Sequence, residues 1–517
     1  MNSSSLPLSS ASRGASVRPS RRGFLRSAGL GAAGSLLGTL AVGSSARAAA
    51  PATSDDTSTE IIWMSASRLA QLIREKKVSS TEATRAYIQR IQAVNPTLNA
   101  VVKTCFDRAL AEAKAADDAV ASGRTLGPLH GVPMTIKDLL DTAGVVSTGG
   151  TLGRIDYVPA ADATAVARAR AAGAILLGKT NTPEFTLSGV DGITSTWNLI
   201  YGVTRNPHNP LHSSAGSSGG AGSIVAAGGA AFDIGSDFGG SIRGPAHANG
   251  VAGIKPSTGR VPRTGHIVDY GGIFDAYQQV GPLARRVEDL VLVTRVISGP
   301  DGKDAAILPA PFLEPAAVDL SKLRVAFYLS NGVSAPTAET QAMVKRAADS
   351  LAALGATVRE DLHPHYREAV ELRTRLRQAD GNQWMKRLAE KVGSRTVAPS
   401  LKFSAPASTS AELIALLQEQ DRYRRAMTSW FKNYDVILCP ANAGPAPRIQ
   451  SARDGSMSYT AIYNISGWPA LVLRGGTSPE KLPLGLQVVG RPLREDVAFA
   501  VALHLERAFG PFPHPVL

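Results

Sequence analysis

The stretch from Ser213 to Arg260 is rich in glycine and constrains the fold more than any other part of the chain. Between Gly216 and Gly253 there are 12 glycines in 38 residues, with two Gly-Ser clusters, GSSGG (216–220) and FGGSIRG (238–244). Glycine loses more backbone entropy on folding than any other residue. So many glycines therefore indicate backbone that takes unusual angles or approaches another group closely.

The second cluster carries a candidate nucleophile, Ser241, directly after two glycines. Such a loop can aim successive backbone N–H groups at one spot, where they would stabilise an oxyanion. A serine also needs a base to take its proton. His247 is the nearest histidine, and a Ser-His-Asp site stays open because triad members need not be adjacent in sequence. The glycines could instead cradle a phosphate, but the nucleotide-binding glycine patterns are absent.

A second candidate base is Lys137, which follows the apolar run Val132–Ile136. That run is short and β-branched, which predicts a buried strand. Lysine is rarely buried without a partner, and burial can lower its pKa by several units. Lys137 could therefore act as a neutral base, with Ser217 relaying the proton from Ser241. The alternative is a surface lysine that pairs with Asp138.

Strand and helix patterns alternate along the chain and predict an α/β fold. A capping box at Ser79 opens a helix that Pro96 is expected to end. Further helices are predicted at 104–121, 161–173, 287–297, 337–354, 366–392, 411–431 and 495–509. Further strands are predicted at 174–177, 230–235, 323–328, 435–438, 470–473 and 485–489. We treat 61–517 as one domain, in which the helical block 335–432 forms a lid or an inserted layer.

The first 48 residues resemble a twin-arginine export signal. Arg21 and Arg22 precede the weakly apolar run 29–43, and a small-residue cleavage motif follows, with cleavage expected near Ala48–Ala50. The run is too short and glycine-rich for a stable membrane anchor. The sequence therefore predicts contact with the twin-arginine export machinery, a polar linker at 49–60 and a periplasmic or secreted protein. The alternative is a disordered Ser/Arg tail.

Charge and cysteine content exclude other classes of partner. The formal charge is +13, but residues 1–48 hold six arginines and no acid, which leaves +7 for the rest of the chain. That diffuse charge lacks the basic patch that nucleic-acid binding requires. Cys105 and Cys439 are isolated, without a C-x-x-C motif or a histidine cluster, so we expect neither a metal nor another cofactor.

Several ordered motifs resemble the amidase signature family of serine hydrolases with a Ser-cisSer-Lys triad. They are GVPMTIKD (131–138), GKTNTPEF (178–185), TRNPHNP (204–210), GSSGG (216–220), GSDFGGSIRGPA (235–246), GIKPSTGRVP (253–262), GPLARRVEDL (281–290) and GLQVVGRP (485–492). The resemblance runs from about residue 61 to the end. It implies the amidase-signature fold, a central twisted mixed β-sheet covered by α-helices on both faces. One departure is Ala215, where the family has glycine.

Carried over by position, the resemblance implies roles for individual residues. Ser241 would be the acylated nucleophile, Ser217 the bridging acid/base in a cis peptide, and Lys137 the neutral base. The implied oxyanion donors are the N–H groups of Phe238, Gly239, Gly240 and Ser241. The implied supporting residues, which would hold the two serine loops, are Ser218, Asp237 and Arg243.

The implied activity is hydrolysis of a small-molecule carboxamide to a carboxylate and an amine or ammonia, by a monomer or homodimer. Two alternatives stay open: an inactive exported binding homologue and an amidotransferase-type subunit of the same family. Aliphatic amides, peptide amides, aryl amides and esters all remain candidate substrates. Five aromatic residues could line the pocket, although core packing is the more common role: Tyr270, Phe274, Trp384, Tyr459 and Trp468.

Overall fold

The computed structural model describes residues 61–124, 127–187, 195–268, 276–401, 406–451 and 456–517. Within these residues, eleven strands form one large sheet and two short strands pair separately. The strands are β1 (Val101–Thr104), β2 (Pro133–Lys137), β3 (Ile175–Thr180), β4 (Trp197–Asn198), β5 (Gly202–Val203), β6 (Phe232–Asp237), β7 (Ala252–Lys255), β8 (Gln279–Ala284), β9 (Arg324–Phe327), β10 (Thr357–Glu360), β11 (Val436–Pro440), β12 (Ala470–Thr477) and β13 (Pro483–Gly490).

Thirteen α-helices in the described residues flank the sheet. They are α1 (Ala66–Arg74), α2 (Ser80–Leu98), α3 (Phe106–Ala121), α4 (Thr164–Ala171), α5 (Gly219–Ala226), α6 (Arg243–Asn249), α7 (Val287–Ile297), α8 (Ala338–Ala352), α9 (Tyr366–Gln378), α10 (Gln383–Lys391), α11 (Ser410–Phe431), α12 (Ile462–Ile465) and α13 (Glu495–Phe509). All residues of β2, β6 and β13 are buried. Because neighbouring side chains of a strand point to opposite faces, both faces of the sheet are covered there.

The sheet is mixed, in the order β1-β3-β2-β6-β8-β7-β12-β13-β11-β9-β10. The pairs β2/β3, β2/β6, β9/β10 and β9/β11 are parallel, and the strands between β6 and β11 pair antiparallel. This agrees with the α/β fold that the sequence predicts and with the mixed sheet that the resemblance implies. Since β2 and β6 run parallel, their carboxyl ends meet at one edge, where ligand sites of such sheets commonly lie.

The first glycine-rich cluster is explained by the close packing of α5. A β-carbon on Gly220 would meet the backbone of the neighbouring chain segment, including the carbonyl oxygen of Ala100 at 2.7 Å. Only glycine lets the helix approach that closely. Thus Ser217 and Ser218, which directly precede α5, lie deep in the molecule and both are buried.

Several predicted boundaries differ from the observed ones. Thr104 ends strand β1, so the helix predicted from it begins at Phe106. Pro96 lies inside the last turn of α2 and does not end the helix, which continues to Leu98. The helices α7 and α13 have the predicted bounds.

The helical block 335–432 is more than an insertion. Its strand β10 belongs to the large sheet, and α8 packs against β11, β12 and β13. The single helix predicted for 366–392 is two helices, α9 and α10, because Asn382 takes a left-handed conformation with φ 60° between them. Helix α9 contacts α11 and α12 and forms a separate layer of the block.

Candidate active site

Lys137 ends β2 and is completely buried, with a relative exposure of 0%. Its Nζ donates a hydrogen bond to Ser217 Oγ at 2.6 Å and a longer one to Ser236 Oγ at 3.3 Å. The pairing with Asp138 that would mark a surface lysine is not formed, because Asp138 accepts instead from Thr148. Among the described residues, Lys137 therefore donates hydrogen bonds to hydroxyl groups alone.

The burial of Lys137 changes its proton affinity. Loss of water lowers the pKa of its ammonium from 10.5 to about 7, although Asp237 and Asp233 act in the opposite direction. Asp233, on the adjacent strand β6, is also completely buried, and burial raises the pKa of its carboxyl to about 7. Its Oδ2 accepts from Thr135 and Thr180. A substantial fraction of Lys137 is therefore neutral near pH 7, as a general base requires.

The two Gly-Ser loops are joined through their backbones. Gly216–Ser217 is a cis peptide, as the resemblance implies, and Ala215 before it has a positive φ of 57°. The N–H of Ser218 donates to the carbonyl oxygen of Ser241 at 3.1 Å, and Ser218 Oγ donates to the carbonyl oxygen of Ser236 at 3.3 Å. Ser217 is therefore held between the buried lysine and the Ser241 loop.

Asp237 organises the loop that carries Ser241. Its carboxylate accepts from the N–H groups of Gly240 at 2.8 Å and Ile242 at 3.0 Å, and it forms a completely buried ion pair with Arg243 at 2.9 Å. Burial opposes ionisation, but the Arg243 guanidinium outweighs it and holds the pKa of this carboxyl below its usual range. The Ser241 loop is therefore organised around the buried Asp237 carboxylate, whose negative charge is paired with Arg243.

The structure differs from the prediction at one oxyanion donor. The N–H of Gly240 is committed to Asp237. Those of Gly239 and Ser241 donate to no acceptor in the described part of the chain. Gly240 has a φ of 132°, which favours glycine, and a β-carbon there would collide with Thr460 Oγ1. Of the four predicted donors, Gly239 and Ser241 are thus two whose N–H groups have no acceptor among the described residues and are available to a substrate.

A family model described as Amidase matches residues 82–498. The chain belongs to the amidase family. Three curated relatives cover nearly all of it. It is 36% identical to a glutamyl-tRNA(Gln) amidotransferase subunit from Moorella thermoacetica, over 87% of this chain and 97% of the relative. It is 35% identical to fatty-acid amide hydrolase 2-B from Danio rerio (88% and 91%) and 34% identical to indoleacetamide hydrolase from Bradyrhizobium diazoefficiens (88% and 88%).

Solved structures agree with this assignment. The structure of 6-aminohexanoate cyclic dimer hydrolase with its substrate superposes with a TM-score of 0.77 at 30% identity, covering 88% of this chain and 99% of that one. A peptide amidase from Stenotrophomonas maltophilia gives 0.74 at 26% identity, covering 88% and 98%. As an amidase-signature member, the protein is a hydrolase that acts on carbon–nitrogen bonds.

Three residues of the amidase site escaped prediction from the sequence, although Gln487 lies within the motif GLQVVGRP. Arg243 Nη1 donates to Gln487 Oε1 at 2.9 Å and to the carbonyl oxygen of Thr460 at 2.8 Å. Asn464 donates to Asp237 Oδ1 at 2.9 Å. Thr460 Oγ1 also donates to the carbonyl oxygen of Gly239 at 2.7 Å. These residues hold the Ser241 loop through their hydrogen bonds with Asp237, Gly239 and Arg243.

The remaining candidates from the sequence are His247 as a base and the five aromatic residues as pocket lining. His247 accepts from the N–H of Gly485 at 2.8 Å, and its other nitrogen lies 3.0 Å from the carbonyl oxygen of Gly444, so backbone groups occupy both ring nitrogens. Tyr459 and Trp468 are buried in the core, whereas Trp384 is half-buried against it. Tyr270 and Phe274 lie outside the described residues.

The described residues contain no group of three or more His, Cys, Asp or Glu side chains that could hold a metal ion. In the same residues, no helix has both the length and the apolar character to cross a bilayer.

Proposed function

We propose that this amidase hydrolyses a small-molecule carboxamide through an acyl-Ser241 intermediate. The observation that carries the proposal is the 2.6 Å hydrogen bond between the completely buried Lys137 and Ser217, next to the Ser241 loop. A neutral lysine can accept the Ser217 proton, and Ser217 can then accept that of Ser241. Ser241 Oγ is thereby activated without a histidine.

In the first half-reaction, Ser241 Oγ attacks the amide carbonyl carbon while its proton passes to Ser217 and the Ser217 proton passes to Lys137. The N–H groups of Gly239 and Ser241 would receive the oxyanion. When the C–N bond breaks, Ser217 protonates the leaving nitrogen and regains a proton from Lys137. The products of this step are a free amine, or ammonia, and an ester between the acyl group and Ser241.

In the second half-reaction, water attacks the ester carbonyl and gives its proton to Lys137 by way of Ser217. The tetrahedral intermediate collapses, Lys137 returns the proton through Ser217 to the departing Ser241 oxygen, and the carboxylic acid is released and loses its proton to solvent to give the carboxylate. The same three side chains thus serve both halves, in reversed roles.

The test is turnover of amides of graded size by the wild type, Ser241→Ala and Lys137→Ala. We expect amine or ammonia release by the wild type and a loss of about 10²-fold or more in both variants. Turnover of the Ser241→Ala protein at the wild-type rate would overturn the assignment. Labelling by a fluorophosphonate separates an active hydrolase from an inactive binding homologue, which would not react.

An amidotransferase-type role is the second candidate, and the 36% identity to the Moorella thermoacetica amidotransferase protein supports it. A chain with that role would require partner subunits and tRNA. The purified chain, assayed alone on simple amides, distinguishes the two: turnover without any partner supports the hydrolase. An ester panel run in parallel shows whether the acyl-enzyme also forms from ester substrates.

We further propose that residues 1–48 direct twin-arginine export and are removed near Ala48–Ala50, which gives a periplasmic or secreted enzyme that acts as a monomer or homodimer. The support is the sequence of Arg21, Arg22 and the run that follows. Replacing both arginines by lysine should retain the unprocessed protein in the cytoplasm. Unchanged processing and secretion of that variant would contradict the export route.

A further inference from the structure

A guanidinium group lies against the Ser241 loop without forming a hydrogen bond or ion pair to the described residues. A β-carbon placed on Gly239 would meet Arg373 Nη2 and, at 2.8 Å, Cε of Met457. Arg373 belongs to α9, and its Cζ lies 5.9 Å from the centre of the Phe238 ring. Because consecutive Cα atoms are about 3.8 Å apart, Gly239 and Ser241 are separated by at most about 7.6 Å. Arg373 is therefore close to the proposed nucleophile.

The surroundings of Arg373 contrast with those of Arg243. Arg243 donates from Nε, Nη1 and Nη2 to protein acceptors, whereas no donor of Arg373 has an acceptor in the described part of the chain. The nearby carboxylate, Asp237, is already paired with Arg243. An arginine carries five N–H donors, and arginines removed from bulk water are normally paired. Arg373 thus presents donors beside the reacting centre that have no acceptor among the described residues.

Arg373 remains charged at neutral pH. Burial, and next the charge of Arg377, lower the pKa of its guanidinium to about 10, which is still well above 7. The side chain is only partly buried, and Met457 beside it is 45% exposed. Both side chains are therefore in contact with solvent, and next to Gly239 they present a cation and an apolar thioether.

We infer that Arg373 binds an anionic group of the substrate, and that the enzyme prefers amides bearing a carboxylate a few bonds from the scissile carbonyl. The guanidinium fork matches a carboxylate in a bidentate arrangement. A short apolar linker between the carboxylate and the amide would contact Met457. This inference rests on the proposed function, because it places the amide carbonyl at Ser241.

The test compares two substrates of nearly equal size, the monoamide and the diamide of glutaric acid, in the wild type and in Arg373→Gln. We expect the wild type to have a higher kcat/KM for the monoamide. The substitution should lower that value about 10- to 100-fold, mainly through KM, because a charge-assisted hydrogen bond is lost. The kcat/KM for the diamide should change less than about threefold. Arg375→Gln is the matched control, since Arg375 is exposed on the same helix and pairs with Glu419.

Two results would overturn the inference. One is a wild type that has no preference for the monoamide, and the other is an equal fall in kcat/KM for both substrates in Arg373→Gln. A binding measurement is independent of turnover. Calorimetric titration of the Ser241→Ala protein with glutarate should show binding that the added Arg373→Gln change abolishes. If instead the proposed function is wrong, the protein will show neither amide turnover nor labelling of Ser241. The glutarate titration would still decide whether Arg373 binds a carboxylate.

Discussion

Lys137 and Lys179 are both completely buried and lie at the carboxyl ends of adjacent parallel strands, β2 and β3. Their partners differ. Lys137 donates to the hydroxyls of Ser217 and Ser236, whereas Lys179 donates to the carbonyl oxygen of Leu140 and to Thr142. Thr142 Oγ1 in turn donates its own proton to the carbonyl oxygen of Leu140, whereas the Ser217 hydroxyl lies next to the Ser241 loop and can pass a proton on. The surroundings of the hydroxyl partner thus separate a candidate base from a structural lysine.

Strand geometry explains how two lysines so close together meet different surroundings. Lys137 pairs with Thr180 across the sheet, and Lys179 pairs with Ile136. Paired residues share a face and successive residues alternate, so the two lysines point to opposite faces. Burial lowers the pKa of both ammonium groups, to about 7 for Lys137 and about 8 for Lys179. A lowered pKa alone would therefore not have told them apart.

The largest effect is expected from Lys137→Met. Methionine keeps the length and removes the base, so kcat/KM for amides should fall about 10²- to 10⁴-fold. Circular dichroism and the thermal transition serve as the folding control. A variant that folds normally and retains wild-type turnover would show that the buried lysine at β2 is as structural as the one at β3.

The pH dependence gives the next effect. Below the pKa of Lys137, about 7, the lysine is protonated and cannot accept the Ser217 proton. We expect kcat/KM to rise with pH and to be about tenfold lower at pH 6 than at pH 8. The unfolded chain binds this proton up to about pH 10.5, so the free energy of unfolding should also rise with pH between about 7 and 10.5 relative to that of Lys137→Met. A flat activity profile from pH 6 to 8 would contradict this role for the lysine.

Lys179→Met sharpens the comparison from the other side. The carbonyl of Leu140 and the hydroxyl of Thr142 lose their donor, so the free energy of unfolding should fall by about 1–3 kcal/mol. Turnover per folded molecule should stay within about threefold of the wild type, and kcat/KM should still fall as the pH drops below about 7. Chemical denaturation and kinetics on the same sample measure both. If kcat/KM of Lys179→Met no longer fell below pH 7, the group that controls the pH dependence would be Lys179.

Ser236→Ala should give the smallest effect. Its hydroxyl lies 3.3 Å from Lys137 Nζ, longer than the 2.6 Å of Ser217. We expect kcat/KM to change less than about fivefold, whereas Ser217→Ala should cost about 10²-fold or more. Equal losses from the two substitutions would mean that Ser217 is not the distinct proton relay.

Sequence reasoning found the site residues whose neighbours along the chain carry a signal. The apolar run before Lys137 predicted its strand, and the glycines around Ser241 predicted a loop with exposed N–H groups. It could not assign those N–H groups individually. Which of them faces Asp237 and which remains available depends on the turn itself, so Gly240 was counted among the oxyanion donors although Asp237 accepts its N–H.

Contacts between distant parts of the chain were harder to predict. Asn464 and Thr460 lie more than 200 positions from the loop they hold, and no local periodicity marks them. Strand β10 was missed because it is an edge strand with three of its four residues exposed, which removes the apolar alternation. Arg373 falls in the helical pattern predicted at 366–392, which marks no single side chain, and only the structure places it against Gly239.

The central claim is that Ser241 is the nucleophile, and the most direct measurement is the location of a fluorophosphonate adduct by peptide mass spectrometry. The account predicts one adduct, on the peptide that carries Ser241, which forms more slowly below pH 7 and is absent from Ser241→Ala. An adduct on Ser217 or Ser218, or equal labelling of the Ser241→Ala protein, would contradict it.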